Sequence, residues 1–505
     1  MSLIFKKIKV EFYFTLFFIV SICFVHALSF DKMPTRIHAW AQSDHYALAL
    51  GFINNGFDFF HPQTYSLNHQ FPPEQEVDVP KGITAVDFPL LHYIVGFIMY
   101  LTGIKEPWIF RLVSLLFSYV GLLYLFRILY DLKGLWISLF AVSFVMFQPI
   151  YCYYQNGFHV SSAAFSTQLI GISLMLKYFY KPSSRTFYVG VLFLTLAALM
   201  RFTQVITLIA LFCSFVLRFI STRKYNGKML AVFMGLFLIG GYFVYNKHLA
   251  SLYGSVFLGS PLPAETFRDF MFQIFYIAKS YLRGFLPFLH LFVFIVVLIN
   301  VPKEKWNLNS FWLQWLGFSL FGTFVFSLLM SWSLSAHDYY SLDTWMAPLV
   351  ICLIWALMNI ETKGYSMKGI SLFVVLFVIG AFSIALENQL RKYDEKIEVR
   401  GVDLTIETFK ESSNYLNSII PDESRVIVIT GSGWNSPMMG WKRPVFRVAW
   451  KFEEQIPTEL DKGYDFIVTQ NKSIDEEVIK NYPDFYNRVE LIGSNGKVSI
   501  WHTKL

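Results

Sequence analysis

Runs of apolar residues, each close to twenty long, recur through most of this chain and constrain it more than any other feature. A helix rises 1.5 Å per residue, so about 20 apolar residues cross a hydrocarbon core of about 30 Å. Lipid offers no hydrogen bonds, so each such run has to satisfy its own backbone as a helix. The runs fall at about 10–30, 107–130, 134–151, 158–180, 186–201, 203–220, 229–247, 281–301, 311–332, 340–359 and 368–387. A shorter run at 88–103 can be counted as a span or as a helix lying along the membrane.

Composition agrees. The 505 residues are 55% hydrophobic and 15% charged, and the mean hydropathy is +0.46. A soluble chain carries roughly 25% charged residues. The 54 Phe, 28 Tyr and 13 Trp fit lipid-facing and interfacial surface. The formal charge is +7, but the region 388–505 is slightly acidic. The basic excess therefore belongs to the membrane part and bears on topology, not on nucleic acid. Cys23, Cys152, Cys213 and Cys352 all lie in or beside apolar runs, which argues against a disulfide framework. No Cys/His spacing suggests a metal site. Lys6, Lys7 and Lys9 precede a first run too long for a signal-peptide core, so it reads as a retained span.

Short basic loops set the topology. If 88–103 does not cross, the loops carrying Lys133, Lys177/Lys181/Arg185, Arg218/Arg223/Lys224/Lys228, Lys303/Lys305 and Lys363/Lys368 share the side of the N-terminal lysines. If it crosses, they fall outside, against the positive-inside bias. The reading is therefore a mainly α polytopic membrane protein with about 11 transmembrane helices, its N-terminus cytoplasmic. The membrane domain is 1–387. A small α/β domain at 388–505 follows on the outer side.

The outer side then collects the loop 31–106, the Tyr151–His159 turn, the Arg201–Gln204 turn, a loop at 248–280 and the Ser335–Tyr340 turn. A loop as long as 31–106 is usually functional. Within it Ser43 can cap a helix from Asp44 to Asn55. Strand patterns in the C-terminal domain fit 425–430, 446–450, 464–469 and 498–501, and helical patterns fit 403–418 and 473–482. Gly431-Ser432-Gly433-Trp434 lacks a third glycine and reads as a turn, not a dinucleotide fingerprint.

Asp44 is the leading catalytic candidate. A carboxylate at a membrane interface can act as general base toward an acceptor hydroxyl or amine; the plainer reading is a solvated carboxylate complementing a helix dipole. Asp87 is a second outer acid, or simply a loop residue. Arg201 can hold a phosphate through a guanidinium fork, or merely snorkel at a helix end. His337, Tyr339 and Tyr340 can hydrogen-bond a phosphate or sugar, or form part of an aromatic belt. Gln204, Asn156 and His159 are weaker candidates on neighbouring turns. Arg36 and Lys81 can neutralise phosphate charge.

This order of motifs resembles the GT-C glycosyltransferases. More narrowly, it is similar to the bacterial group related to protein mannosyltransferases and lipid A aminoarabinose transferases. The resemblance covers about 10–390. It rests on Asp44 after the first span, Asp87-Phe88-Pro89-Leu90-Leu91-His92-Tyr93, Trp108-Ile109-Phe110-Arg111-Leu112, Leu196-Ala197-Ala198-Leu199-Met200-Arg201-Phe202-Thr203 and His337-Asp338-Tyr339-Tyr340. His45 stands where the family has a second acid, and Asp87-Phe88 where it has a basic residue. Asn156/His159 replace another outer acid.

The resemblance implies a glycosyltransferase that takes a sugar from a polyprenyl-phosphate donor at the outer, periplasmic face of the inner membrane. The acceptor is a lipid, glycan or protein. Asp44 would take the acceptor's proton. Arg201, His337 and Tyr340, with Lys81 or Arg36, would stabilise the leaving phosphate, and single displacement would invert the anomeric centre. No cofactor follows; His45 leaves use of a divalent cation open. A transporter or lipid-linked sugar flippase is the competing class, although transporters place charges near the midplane and show repeats, and none is visible here. An assembly subunit is a third.

Overall fold

The computed structural model describes the chain except residues 1, 69–81, 225, 260, 362–365, 395, 432, 449–454, 475–477 and 505. Each of the eleven apolar runs meets a helix. Among the described residues, six helices are long and apolar enough to cross a membrane: Ile8–Val25, Pro107–Lys133, Phe202–Thr222, Lys228–Tyr253, Phe311–Leu329 and Met367–Lys392. Leu135–Met146 and Pro149–Gln155 qualify together but are bent by 73°, which makes up to seven. Pro149 explains the break: it removes a helix donor and opens the second segment at its first position, where Gln148 caps it by accepting from the Tyr151 N–H at 2.7 Å. Leu90–Thr102, Ser184–Met200, Phe288–Ile299 and Met346–Asn359 are apolar but shorter.

The chain divides into two compact units. One comprises 1–30, 111–244 and 260–394. Its centre is the Val160–Tyr180 helix, buried from Val160 through Leu176. Small residues let its neighbours close in. A Cβ on Gly121 would lie 2.6 Å from the Ser166 carbonyl, and one on Gly171 would lie 2.7 Å from the Leu194 side chain. The 248–280 stretch, expected as a loop, carries most of a helix at Phe267–Gly284. Polar residues at Arg268, Asp269 and Lys279 interrupt the apolar run there and disguise an amphipathic helix that exposes Phe267, Phe272 and Phe275. The apolar run expected from 281 accordingly begins only at Phe288.

The other unit comprises 31–110, 245–259 and 395–505. It holds a five-stranded sheet: β1 (Val426–Ile429), β2 (Phe446–Val448), β3 (Phe466–Gln470), β4 (Val489–Ser494) and β5 (Val498–Thr503). The order is β2-β1-β3-β5-β4, with β1 parallel to β2 and β3, and β5 antiparallel to both β3 and β4. β4 escapes sequence reading because its side chains are mostly exposed and it carries a bulge at Leu491/Gly493. The Gly401–Ile419 helix matches its predicted position. Across the expected 473–482 helix every described residue up to Asn481 is helical, as α-helix at Asn471–Ser473 and Ile479–Asn481 and as π-helix at Ile474 and Val478.

The first helix of this unit, Ala39–Asn54, begins four residues before the expected Ser43 cap. Its N-cap is His38, with φ 52°, and Ser43 instead donates to the Ala39 carbonyl at 2.7 Å. Asp44 therefore lies inside the helix, not at its N-terminus. The helix is buried from Ala41 through Phe52, packed by the Leu90–Thr102, Gly401–Ile419 and Ser436–Trp441 helices. Gly51 and Gly96 permit the approach: a Cβ on Gly51 would lie 1.9 Å from the Gln63 carbonyl, and one on Gly96 2.5 Å from that of Ala49. Ser66 forms a parallel bridge with Val445, tying the loop to the C-terminal region.

Candidate active site

In the unit containing the sheet, the centre of interest is the Asp44 carboxylate, 2% exposed. Asn435 donates its Nδ2–H to Asp44 Oδ1 at 2.8 Å. The same amide accepts at Oδ1 from the backbone N–H groups of Tyr65 (3.0 Å) and Ser66 (2.9 Å). Two N–H donors can only be met by the amide oxygen, so the NH₂ group has to face Asp44. Arg447, on β2, is buried too and lies against the Trp434 ring, its guanidinium 4.5 Å from the ring centre. It donates to the Thr430 carbonyl at 3.3 Å, while its Nε has no hydrogen-bond partner among the described residues.

Burial pushes the Asp44 carboxyl up to about 7, with the Asn435 hydrogen bond and the Arg447 charge pulling the other way. Burial likewise lowers Arg447 to about 10, which leaves it charged at neutral pH, and Asp44 opposes the shift. The next residue along the helix, His45, faces elsewhere. Its Nδ1 lies 2.8 Å from His92 Nε2, so one of the two nitrogens carries the shared proton. No group of three or more His, Cys, Asp or Glu among the described residues is arranged to hold a metal ion.

Arg36 is also in this unit. Its N–H donates to both Asp403 oxygens, at 3.0 and 3.1 Å, and its guanidinium lies 3.7 Å from the same carboxylate. Its φ of 70° is unusual for a non-glycine residue, and Asp403 holds that turn in place. Asp87 is half-buried, next to Val86, whose N–H donates to Asn246 Oδ1 at 3.0 Å. Lys81 lies outside the described residues.

Three of the predicted turns meet in the other unit. Arg201 donates through Nε to Asp343 Oδ2 at 2.7 Å, and its guanidinium sits 5.6 Å and 5.3 Å from the ring centres of Tyr339 and Tyr340. Tyr339 lies against the His159 ring, with centroids 4.1 Å apart. His337 contacts both tyrosine rings, and its Nδ1 is 3.0 Å from the Ser333 carbonyl, which directs Nε2 away from that bond. Tyr154 donates to Asp338 Oδ1 at 2.5 Å. Lys392 lies 3.9 Å from the centre of the Tyr153 ring. Gln204 is buried with both side-chain polar atoms unpartnered among the described residues, and Asn156 donates to Ser29 Oγ at 2.9 Å. Arg201, the two imidazoles and the tyrosine hydroxyls thus gather in one polar cluster together with the Asp338 and Asp343 carboxylates.

Asp343, Lys392, Asn435 and Arg447 were not anticipated. Asp343 and Lys392 carry a recognisable signal, since an ionisable residue in or at the end of an apolar run usually has a function. Arg447 does too, as a charge in the middle of a strand that is otherwise apolar. Asn435 follows a turn at the carboxyl end of a parallel strand, the edge where open α/β sheets place their ligands.

A family model described as dolichyl-phosphate-mannose-protein mannosyltransferase matches residues 80–245. No curated protein sequence matches the chain. Among solved structures, ArnT from Cupriavidus metallidurans in the apo state is similar over 97% of both chains, at 10% identity and a TM-score of 0.61. The same protein bound to undecaprenyl phosphate gives 0.60 at the same identity and coverage. An Archaeoglobus fulgidus oligosaccharyltransferase tethered to an acceptor peptide gives 0.54 at 10% identity, covering 99% of this chain and 74% of that one. At such low identity the likeness is one of fold, and the fold is that of the GT-C glycosyltransferases.

Proposed function

We propose that this chain, with its GT-C fold, is an integral membrane glycosyltransferase. It moves a sugar from a polyprenyl-phosphate donor to an acceptor at the outer face of the membrane. The observation that carries the reading is Asp44: a carboxylate buried on the first outer helix, held by an amide, with its ionisation brought near neutrality. A general base works best when its pKa lies near the operating pH. The polyprenyl class of donor is supported by the undecaprenyl phosphate bound to ArnT and by the match to a dolichyl-phosphate-mannose family.

In this mechanism the acceptor's nucleophilic oxygen or nitrogen attacks the anomeric carbon. Its proton passes to Asp44 as the bond between that carbon and the phosphate oxygen breaks. The lipid leaves as its phosphate monoester, and the anomeric centre is inverted. Arg201, His337 and Tyr340 stabilise the developing phosphate charge. Arg201 donates through Nε to Asp343, which orients the guanidinium assigned to the phosphate. Fixed donors aimed at developing charge are usually the largest catalytic contribution. Tyr339 and His159 support that cluster as packed rings. Arg36 anchors the loop through Asp403, and Lys81 and Asp87, in the same loop of the sequence, are assigned to binding the donor. The N-terminus is cytoplasmic and the sheet domain periplasmic, with 1–387 as the membrane part. The acceptor is a lipid, a glycan or a protein.

The test uses the full chain in proteoliposomes with labelled polyprenyl-phosphate sugars and envelope extract as acceptor. The reading expects free polyprenyl phosphate and transferred label of inverted configuration. Intact labelled donor appearing on the opposite leaflet, without cleavage, replaces the enzyme with a flippase.

A further inference from the structure

We propose that the C-terminal domain is a working part of the active site: Asn435 fixes the orientation of the Asp44 carboxylate, and Arg447 supplies its balancing charge. This rests on the reading of Asp44 as the base. The geometry is specific. One amide ties three chain segments together, through Asp44 on the first helix, the backbone of Tyr65 and Ser66 in the loop, and its own place after β1. Its oxygen is committed to two N–H donors, so its NH₂ group cannot turn away from Asp44 without leaving those donors unmet.

Arg447 stands out among the charged and titratable groups around the Ala39–Asn54 helix. Leu90–Thr102 contributes His92, which faces His45. Gly401–Ile419 contributes Asp403, which faces Arg36, while its Glu407 and Lys410 are exposed and Glu411 pairs with Lys497. Ser436–Trp441 carries no ionisable side chain, and Lys442 beyond it pairs with Glu106. Within the helix, Tyr46 donates to the Lys105 carbonyl. The loop adds Tyr65, whose phenol burial pushes up to about 12 and so keeps neutral. Arg447 is the charge that acts on Asp44, from the strand.

The consequence is chemical. An ionised carboxylate buried alone is costly, and it protonates in preference to staying charged. Arg447 makes the ionised form tolerable without a direct ion pair, and Asn435 holds one oxygen so that Oδ2 can receive a proton. Both groups lie outside residues 80–245, the stretch that the family model matches.

The test compares pH–rate profiles of kcat/KM for wild type, Asn435→Ala, Arg447→Met and Arg447→Lys in the full chain with labelled donor. Each of the first two variants should move the acidic limb toward higher pH. A limb displaced by about one pH unit means roughly a tenfold loss below it, with activity regained above it. Arg447→Lys should restore the limb toward wild type, since it keeps the charge. A loss of the same size at every pH, or an unmoved limb in both variants, overturns the proposal and leaves Asp44 as base intact. If Asn435→Ala gives no folded protein, the two Arg447 variants decide alone. Full activity in Asp44→Asn overturns this inference and the proposed function together.

Discussion

The Asp44 side chain carries two predictions that pull in opposite directions. As base it has to be ionised, so kcat/KM should rise about tenfold per pH unit below the folded pKa near 7 and level off above it. As a buried acid it costs stability in that same ionised form. Its folded pKa is raised above the ordinary value of 3.8, so the folded state holds a proton that the unfolded state has lost between those two values. Stability from this group is therefore present at low pH and is lost as pH rises toward 7, at about 1.4 kcal/mol for each pH unit in that window. Asp44→Asn removes that dependence. We expect the variant at pH 8 to melt no lower than wild type, measured by thermal unfolding in detergent, although it is inactive; a clear fall in Tm contradicts the cost assigned to burial. The position of Asp44 after the first span was legible in the sequence. Its helix boundary was not, because His38 at positive φ gives no sequence signal of a cap, whereas Ser43 gives a misleading one.

At the scale of elements, the apolar runs announced the membrane helices, since period and length are properties of the local sequence. What they could not announce were helices whose character depends on partners. Phe267–Gly284 mixes charge with exposed aromatics, and Ala39–Asn54 is buried on all sides because other elements cover it. That cover is tight at Gly51, where any β-carbon runs into the Gln63 carbonyl. Gly51→Ala should cost about 1–3 kcal/mol, typical of overpacking, and should lower Tm while disturbing the loop that carries Tyr65 and Ser66. An unchanged Tm contradicts the packing described. In the other unit, the Arg201 pairing gives a second element-scale expectation. Arg201→Lys keeps charge but loses the guanidinium fork, and it should raise KM for the lipid donor while leaving the acidic limb of the pH profile in place. A moved limb would place Arg201 with the base instead.

For the whole molecule, the sequence conveyed a membrane part followed by a small α/β domain, and the fold is that of the GT-C glycosyltransferases. The composition of the sheet-bearing unit was out of reach. It draws together 31–110, 245–259 and 395–505, and associations between segments hundreds of residues apart leave no local trace. Hydrogen bonds such as Asn435 to Asp44, 391 residues apart, are the physical content of that assembly. A chain truncated after residue 394 should therefore insert in the membrane yet lack transfer activity, because the loop and the carboxylate lose the amide and the charge that organise them. Retained activity in the truncated chain contradicts a role for the sheet domain in the site.

The central claim is that Asp44 takes the acceptor's proton as a lipid-phosphate sugar is cleaved. The most direct measurement is the rate of label transfer from a polyprenyl-phosphate sugar by Asp44→Asn and wild-type protein, at matched folded concentration and pH 8. The predicted result is a loss of about 10²–10⁴-fold, the usual contribution of a general base. Transfer at the wild-type rate contradicts it.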